Sequence, residues 1–421
     1  MIYTSIFSDY TATLYVPYKS LEKYKNTSYW RNFENILPLD ATYLGVVGFN
    51  GNMTEQELDV FDEDNVNSYT DKVNSMTTDR YALLYYTAET AIEKMAQSEY
   101  VAPLSTAAVI TFTDGLDQGS LAMNASIATD RAYAEYLADK IATTKVQDVN
   151  ITAYTIGLQG DDVMDSGLFS TNLNALASKP ENVHQISDIN GIDDKFDAIY
   201  QDLERQRRQR ILKIAVPVMS DGTICRFTLD GATDAESSKV WVEGTFNRGA
   251  MRLENLKYQG FNSEDAAGIT GAMDGLNIVF TIRNCRDMDG GILEVTKSGV
   301  GQWTYIMSTD KWQRNNDLAA SDIEVEMRST MAVMLLLDCS SSMSDSQFAK
   351  MKTAANTFIE RLIGYEGQYN GVDDITVDGN AGAEVDWSSA EIYNLQGVRV
   401  VNPAPGIYIQ RAGTHTRKVR L

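Results

Sequence analysis

An unbroken apolar run, Met331 to Leu337, ends on Asp338, and Ser340, Ser341 and Ser342 follow almost at once. The run shows no polar alternation, which predicts a strand buried on both faces, as in the interior of a parallel sheet covered by helices. Such a strand needs a neighbour on each edge and a helical layer on each side. The chain that follows offers one helix. Phe348, Met351, Ala355, Phe358, Ile359 and Leu362 share a face at helical spacing, and Gly364 is placed to end it. A single strand and helix cannot bury their own apolar faces, so the remaining partners must come from elsewhere in the chain.

The first two hundred residues supply candidates. Met1–Phe7 and Thr11–Tyr18 read as short strands around a turn at Ser8-Asp9. Residues 19–77 are polar and mixed, with Asp40–Phe49 the one clear strand-like piece. A helix is predicted over Tyr81–Gln97, then an apolar strand ending in Asp114-Gly115, and a second helix over Arg131–Thr144. A strand over Asn150–Leu158, a short helix over Asn172–Ser178 and an amphipathic helix over Gly191–Gln206 follow. This alternation predicts an α/β fold, a doubly wound and mostly parallel sheet of Rossmann-like type. In such sheets ligands bind beyond the carboxyl ends of the strands, where Asp114 and Asp338 both fall. The basic stretch Arg205–Arg210 fits a helix C-terminus, where cations complement the dipole.

From Ile211 to Met327 the texture changes to short β-branched and aromatic runs separated by Gly, Asp and Asn. These predict an inserted antiparallel β-sandwich, with Gly290–Lys297 as one of its strands. The organisation expected is residues 1–207 as an α/β block, 208–328 as the sandwich, 329–364 as the strand and helix completing the first block, 365–388 as a linker, and 389–421 as a small terminal β module.

Several functions are disfavoured. The net charge of -22 opposes nucleic-acid binding, which needs a basic face to displace counterions. No apolar run approaches the roughly 18–20 residues of a membrane span. The three cysteines, Cys225, Cys285 and Cys339, form no CxxC pair; Cys225 and Cys285 are either a disulfide in an oxidising compartment or two buried thiols. Neither histidine, His184 or His415, lies next to a plausible nucleophile, and no phosphate-cradling or zinc-protease motif occurs, so no enzyme is expected. The acidic stretch Asp59–Asp71 lacks the glycine and terminal glutamate of an EF-hand loop and reads as a solvated loop.

Asp338, Ser340 and Ser342 read D-x-S-x-S between an apolar strand and a helix. Alternation in a tight loop lets the three side chains converge, and a carboxylate with hydroxyls suits a hard, oxygen-seeking cation such as Mg2+. The competing reading is that the serines only cap the helix.

A strand ending in D-x-S-x-S-M before a helix resembles the first strand and helix of a von Willebrand factor type A (vWA) domain. Ile6–Asp9 ("IFSD") and Thr11–Tyr18 ("TATLYVPY") are similar to that family's second and third strands, Val109–Gly115 ("VITFTDG") to its fourth, Ile151–Leu158 to the next, and Phe196–Leu203 to its terminal helix. The resemblance implies a metal-ion-dependent adhesion site, with Asp338, Ser340, Ser342 and Asp114 as ligands. A threonine would come from the loop before the Tyr81 helix: either Thr78 holds that place or the alignment shifts to Ala82, which removes a ligand. The implied cation is Mg2+, with Mn2+ or Ca2+ as substitutes, and the implied partner is a protein offering a carboxylate to the metal.

The family's order is permuted here, since its first strand and helix come after the sandwich. Two accounts stand: one composite, circularly permuted domain, or a truncated product carrying part of a second copy. The last residues, with "IYNLQGVRV", "PGIYI" and a basic end, resemble the C-terminal sorting domain of type IX secretion cargo, which implies a secreted or cell-surface protein. Met1–Phe7 shows none of the features of the signal peptide such export requires. The expected function is metal-dependent partner binding, with a structural surface or matrix role and an unused site as the alternative.

Overall fold

A computed structural model describes residues 10–159, 166–315, 318–363, 391–393, 407–412 and 415–420. The predicted strand over Met1–Phe7, the linker over 365–388 and most of the sorting-like tail lie outside them. The chain divides into two compact units, Met1–Ile363 and Gly364–Leu421.

The first unit opens with β1 (Thr13–Val16), α1 (Leu21–Asn26), β2 (Asn35–Pro38), β3 (Thr42–Phe49), β4 (Met53–Phe61), α2 (Val66–Ser75) and α3 (Leu84–Gln97). It continues with β5 (Leu104–Thr113), α4 (Ser120–Met123), α5 (Asp130–Thr143), β6 (Lys145–Val146), β7 (Val149–Leu158), α6 (Ser166–Ala175), β8 (Val183–Ile186) and α7 (Ile192–Arg207). Nine strands follow: β9 (Gln209–Pro217), β10 (Ile224–Thr228), β11 (Trp241–Asn247), β12 (Arg252–Gln259), β13 (Thr270–Asp274), β14 (Asn277–Ile282), β15 (Gly301–Ile306), β16 (Lys311–Arg314) and β17 (Ile323–Arg328). A short helix, α8 (Ser263–Ala267), lies between β12 and β13, and β18 (Thr330–Asp338) and α9 (Asp345–Ile363) complete the unit. The fold is mixed α/β, with one mixed, mainly parallel sheet and separate antiparallel sheets.

The large sheet runs β4-β3-β18-β5-β7-β6, with β8 on β7. The late strand β18 lies between β3 and β5 and is parallel to both. All nine of its residues are buried, as an unbroken apolar strand inside a covered sheet must be. Met331, Val333, Leu335 and Leu337 enter one core with residues of α2, α7 and α9. Ala332, Met334 and Leu336 enter the opposite core with α3 and α5. Gly45 of β3 leaves room for the Met334 side chain, since an added Cβ would lie 2.4 Å from its sulfur.

The sandwich comprises a five-stranded sheet, β12-β11-β10-β15-β16, and a four-stranded one, β13-β14-β9-β17. Phe227 of β10 meets Phe280 of β14 at 5.4 Å in their shared core. Cys225 and Cys285 are buried there as free thiols. Arg207, at the end of α7, is 2 % exposed and ties the chain junctions together. Its guanidinium donates to the Asp40 carbonyl (2.6 Å), the Thr42 hydroxyl (2.9 Å) and the Ser329 carbonyl (3.2 Å). Arg328, just before β18, pairs with Asp148, which also takes Arg283 at 3.2 Å.

Five expectations are corrected. β1 does not join the large sheet; it pairs with β2 in a two-stranded parallel sheet, and the strands on that side of β18 are β3 and, beyond it, β4. Residues 19–77 hold β4 and α2 besides β3, so Asp59–Asp71 is a strand end, a turn and most of a helix rather than a loop. The helix expected at Asn172–Ser178 starts and ends earlier, as α6. Gly290–Lys297 forms no strand, only an isolated bridge at Ile292. The sandwich includes a helix, α8, capped by the Asn262 side chain on the Glu264 and Asp265 amides.

In the second unit β19 (Glu391–Tyr393), β20 (Ile407–Ala412) and β21 (His415–Arg420) form an antiparallel sheet in that order. Among the described residues no helix is long and apolar enough to cross a membrane.

Candidate metal centre

Parallel register sets Leu337 beside Phe112, so β18 and β5 end side by side and release Asp338 and Asp114 at the same rim of the sheet. Asp338 is fully buried and Asp114 is 8 % exposed. Ser342 Oγ donates to Asp114 Oδ1 at 2.8 Å, and Ser340 Oγ lies 3.4 Å from the same oxygen. The two serine hydroxyls are 2.7 Å apart. Four residues from the two ends of the unit thus form one cluster of oxygens.

The cluster is held from behind. Thr113, fully buried at the end of β5, donates its hydroxyl to Asp338 Oδ2 at 2.6 Å and accepts from the Gly115 amide at 3.2 Å. The Ser340 amide donates to Asp338 Oδ1 at 2.8 Å. Both carboxylate oxygens of Asp338 are therefore fixed in orientation. Thr113 carries no signal of its own in "VITFTDG", because its role depends on β18 lying next to β5.

The serines of the D-x-S-x-S stretch do not cap α9. Ser344 does, through a reciprocal pair with Gln347: the Ser344 hydroxyl accepts from the Gln347 amide (3.3 Å), and the Gln347 side chain accepts from the Ser344 amide (2.9 Å). That arrangement leaves Ser340 and Ser342 free to face Asp114.

The segment before α3 runs alongside this loop. The Asp79 amide donates to the Cys339 carbonyl at 3.1 Å, and Asp79 bridges Ser340. Thr78, one residue earlier, is half-buried, and its hydroxyl bonds to none of the four clustered residues. Ala82 is buried with its carbonyl accepting from the Gln118 amide. Between them Tyr81 takes φ 70° and is 60 % exposed, an uncommon backbone for a bulky side chain.

Burial is the main cause that pushes the Asp338 carboxyl well above the ordinary range, and the Asp114 charge pushes it further; the Thr113 and Ser340 hydrogen bonds oppose both. Burial likewise raises Asp114, against the pull of Ser342 and Ser340. Neither carboxylate has a lysine or arginine partner among the described residues. Two like charges in one buried place are poorly tolerated without a cation. Two carboxylates and two hydroxyls make an oxygen-only donor set, which fits a hard divalent ion. Among the described residues no group of three or more His, Cys, Asp or Glu side chains gathers as a metal cage. Cys339, buried beside Asp338, has its thiol pushed up to about 12, mainly by burial, and stays protonated.

No protein-family model matches the sequence, and no curated protein matches it.

Proposed function

We propose that the chain is a binding protein whose vWA-like α/β block takes up a divalent cation, Mg2+ foremost, through Asp338, Ser340, Ser342 and Asp114, and there accepts a carboxylate from a partner protein. The observation that carries this reading is the cluster itself: Ser342 reaches Asp114 at 2.8 Å across more than two hundred residues of sequence. Side chains fixed in this way offer oxygens to a cation while leaving room for waters or an outside ligand. The parallel pairing of β18 with both β3 and β5 supports a composite domain over a partial second copy. Thr78 precedes Asp79, which bridges Ser340, and would be the threonine ligand that the resemblance implies.

In this reading binding, not catalysis, is the work of the site. The terminal unit, resembling a secretion sorting module, would send the protein to the outside or the cell surface, where an acidic surface and a metal-gated contact suit adhesion. Titration calorimetry with Mg2+ tests the core of the proposal. Wild type is expected to bind one ion per chain, and Asp338→Ala and Asp114→Ala are each expected to abolish binding. Equal Mg2+ binding by either variant would remove the site. Binding of the full chain to cell-surface proteins, measured with and without chelator, tests the adhesive role; insensitivity to chelation contradicts it.

A further inference from the structure

A second site stands apart from the candidate metal centre. Between α5, α6 and the first turn of α3 lies an open cleft of about 650 Å³, a volume in the range of small-molecule sites. Its walls are largely apolar, formed by Leu116, Leu168, Ala134, Ala138 and Ala175. Two polar side chains in its lining are nearly inaccessible, Tyr85 at 1 % and Asn172 at 5 % exposure. Neither the Tyr85 hydroxyl nor the Asn172 amide has a hydrogen-bond partner among the described residues. Neither tip is among the fully enclosed unpartnered polar atoms of the described residues, so both keep open space before them, and that space is the cleft.

The charge of the lining is one-sided. Asp117 and Asp130 face the cleft, and among the described residues neither has a lysine or arginine partner. Asp117 is instead held by the Tyr85 amide (3.1 Å) and the Ser120 amide (3.1 Å). Among the described residues the one cation in the lining, Arg131, is bound to Glu135 at 2.9 Å, and both side chains project into solvent. Burial first, then the Asp117 and Asp130 charges, keeps the Tyr85 hydroxyl protonated. It therefore offers a neutral donor and acceptor beside two carboxylates.

We propose that this cleft binds a small amphipathic organic cation, with an apolar body against Leu116 and the alanines and a protonated amine head toward Asp130 and Asp117. Tyr85 and Asn172 supply the orienting hydrogen bonds. Leu116 and Asp117 continue the loop that carries Asp114, so the ligand touches that loop, although the proposal does not depend on a metal being bound.

The test is ligand-observed NMR and calorimetry on the full chain with three probes of one shape: phenethylamine, 2-phenylethanol and phenylacetate. Phenethylamine is expected to bind saturably, about tenfold or more tighter than the alcohol, a difference of about 1.4 kcal/mol, with no binding of the acid. Ala138→Trp, on the exposed side of α5, fills the cleft and is expected to abolish binding. Tyr85→Phe and Asp130→Asn are each expected to weaken it several-fold, with circular dichroism unchanged. The proposal is overturned by the absence of saturable phenethylamine binding, by equal binding of the alcohol or acid, or by binding that survives Ala138→Trp.

Discussion

At Asp338 burial and a second carboxylate act in the same direction, and Thr113 and the Ser340 amide act against them. The folded, metal-free protein therefore holds this proton to a higher pH than the unfolded chain, whose carboxylates titrate near 4. A raised folded value means that stability falls as pH rises from the unfolded range through the folded one. In chelated protein the denaturant midpoint is expected to drop over that interval, and Mg2+ is expected to restore it at neutral pH by favouring the ionised form. Asp338→Asn is expected to flatten the pH slope and remove the Mg2+ response; an unchanged slope counts against the burial argument. Thr113→Val keeps shape but deletes the hydroxyl that orients Asp338 Oδ2. Mg2+ affinity is expected to fall about 10- to 100-fold in calorimetry, as for other outer partners of metal ligands, and Thr113→Ser to recover most of it. The D-x-S-x-S residues and Asp114 were legible because their spacing and strand-end positions are local. Thr113 was not, because its meaning is a cross-strand neighbour more than two hundred residues away.

The elements that the sequence announced most clearly are those buried on both faces. β18 is an unbroken apolar run, β5 and β7 are apolar runs interspersed with threonines, and all three occupy the interior of the sheet. β4 escaped notice because it is an edge strand, with Glu55, Glu57 and Asp59 breaking its apolar pattern. β1 has strand-like residues, but the pattern of a short segment does not specify its partner, and it pairs with β2 rather than the large sheet. Gly290–Lys297 has β-branched residues, yet Asp287 gathers the Asp289 and Gly291 amides at its start and turns the chain instead. Central position also predicts energetic weight. Leu335→Ala in β18 is expected to cost about 2–5 kcal/mol of stability, measured by denaturant unfolding, because the side chain is fully buried in the core shared with α9. Arg207→Met at the end of α7 is expected to cost about 3 kcal/mol, since it strands the Asp40 and Ser329 carbonyls and Glu204. A loss under about 0.5 kcal/mol in the same assay would show that the junction is held by other means.

In the Met1–Ile363 unit, the sandwich interrupts an α/β block without dividing its sheet. The chain leaves the block at Arg207, passes through the sandwich and returns at Thr330 to fill the place between β3 and β5. Arg207, Asp148 and Arg328 sit at that exit and return, so the insertion is stitched to the block where the two meet. The economy of the arrangement is physical: β3 and β5 would otherwise face each other across a missing strand, and β18 would have no core to enter. The same geometry makes the cation proposal depend on both ends of the unit at once. Anomalous diffraction from crystals of the full chain grown with Mn2+ examines this most directly. The account predicts one Mn2+ peak between the Asp338 and Asp114 carboxylates, within reach of Ser340 and Ser342. A structure in which Mn2+ binds elsewhere, or in which Asp338 and Asp114 do not share the ion, would contradict it.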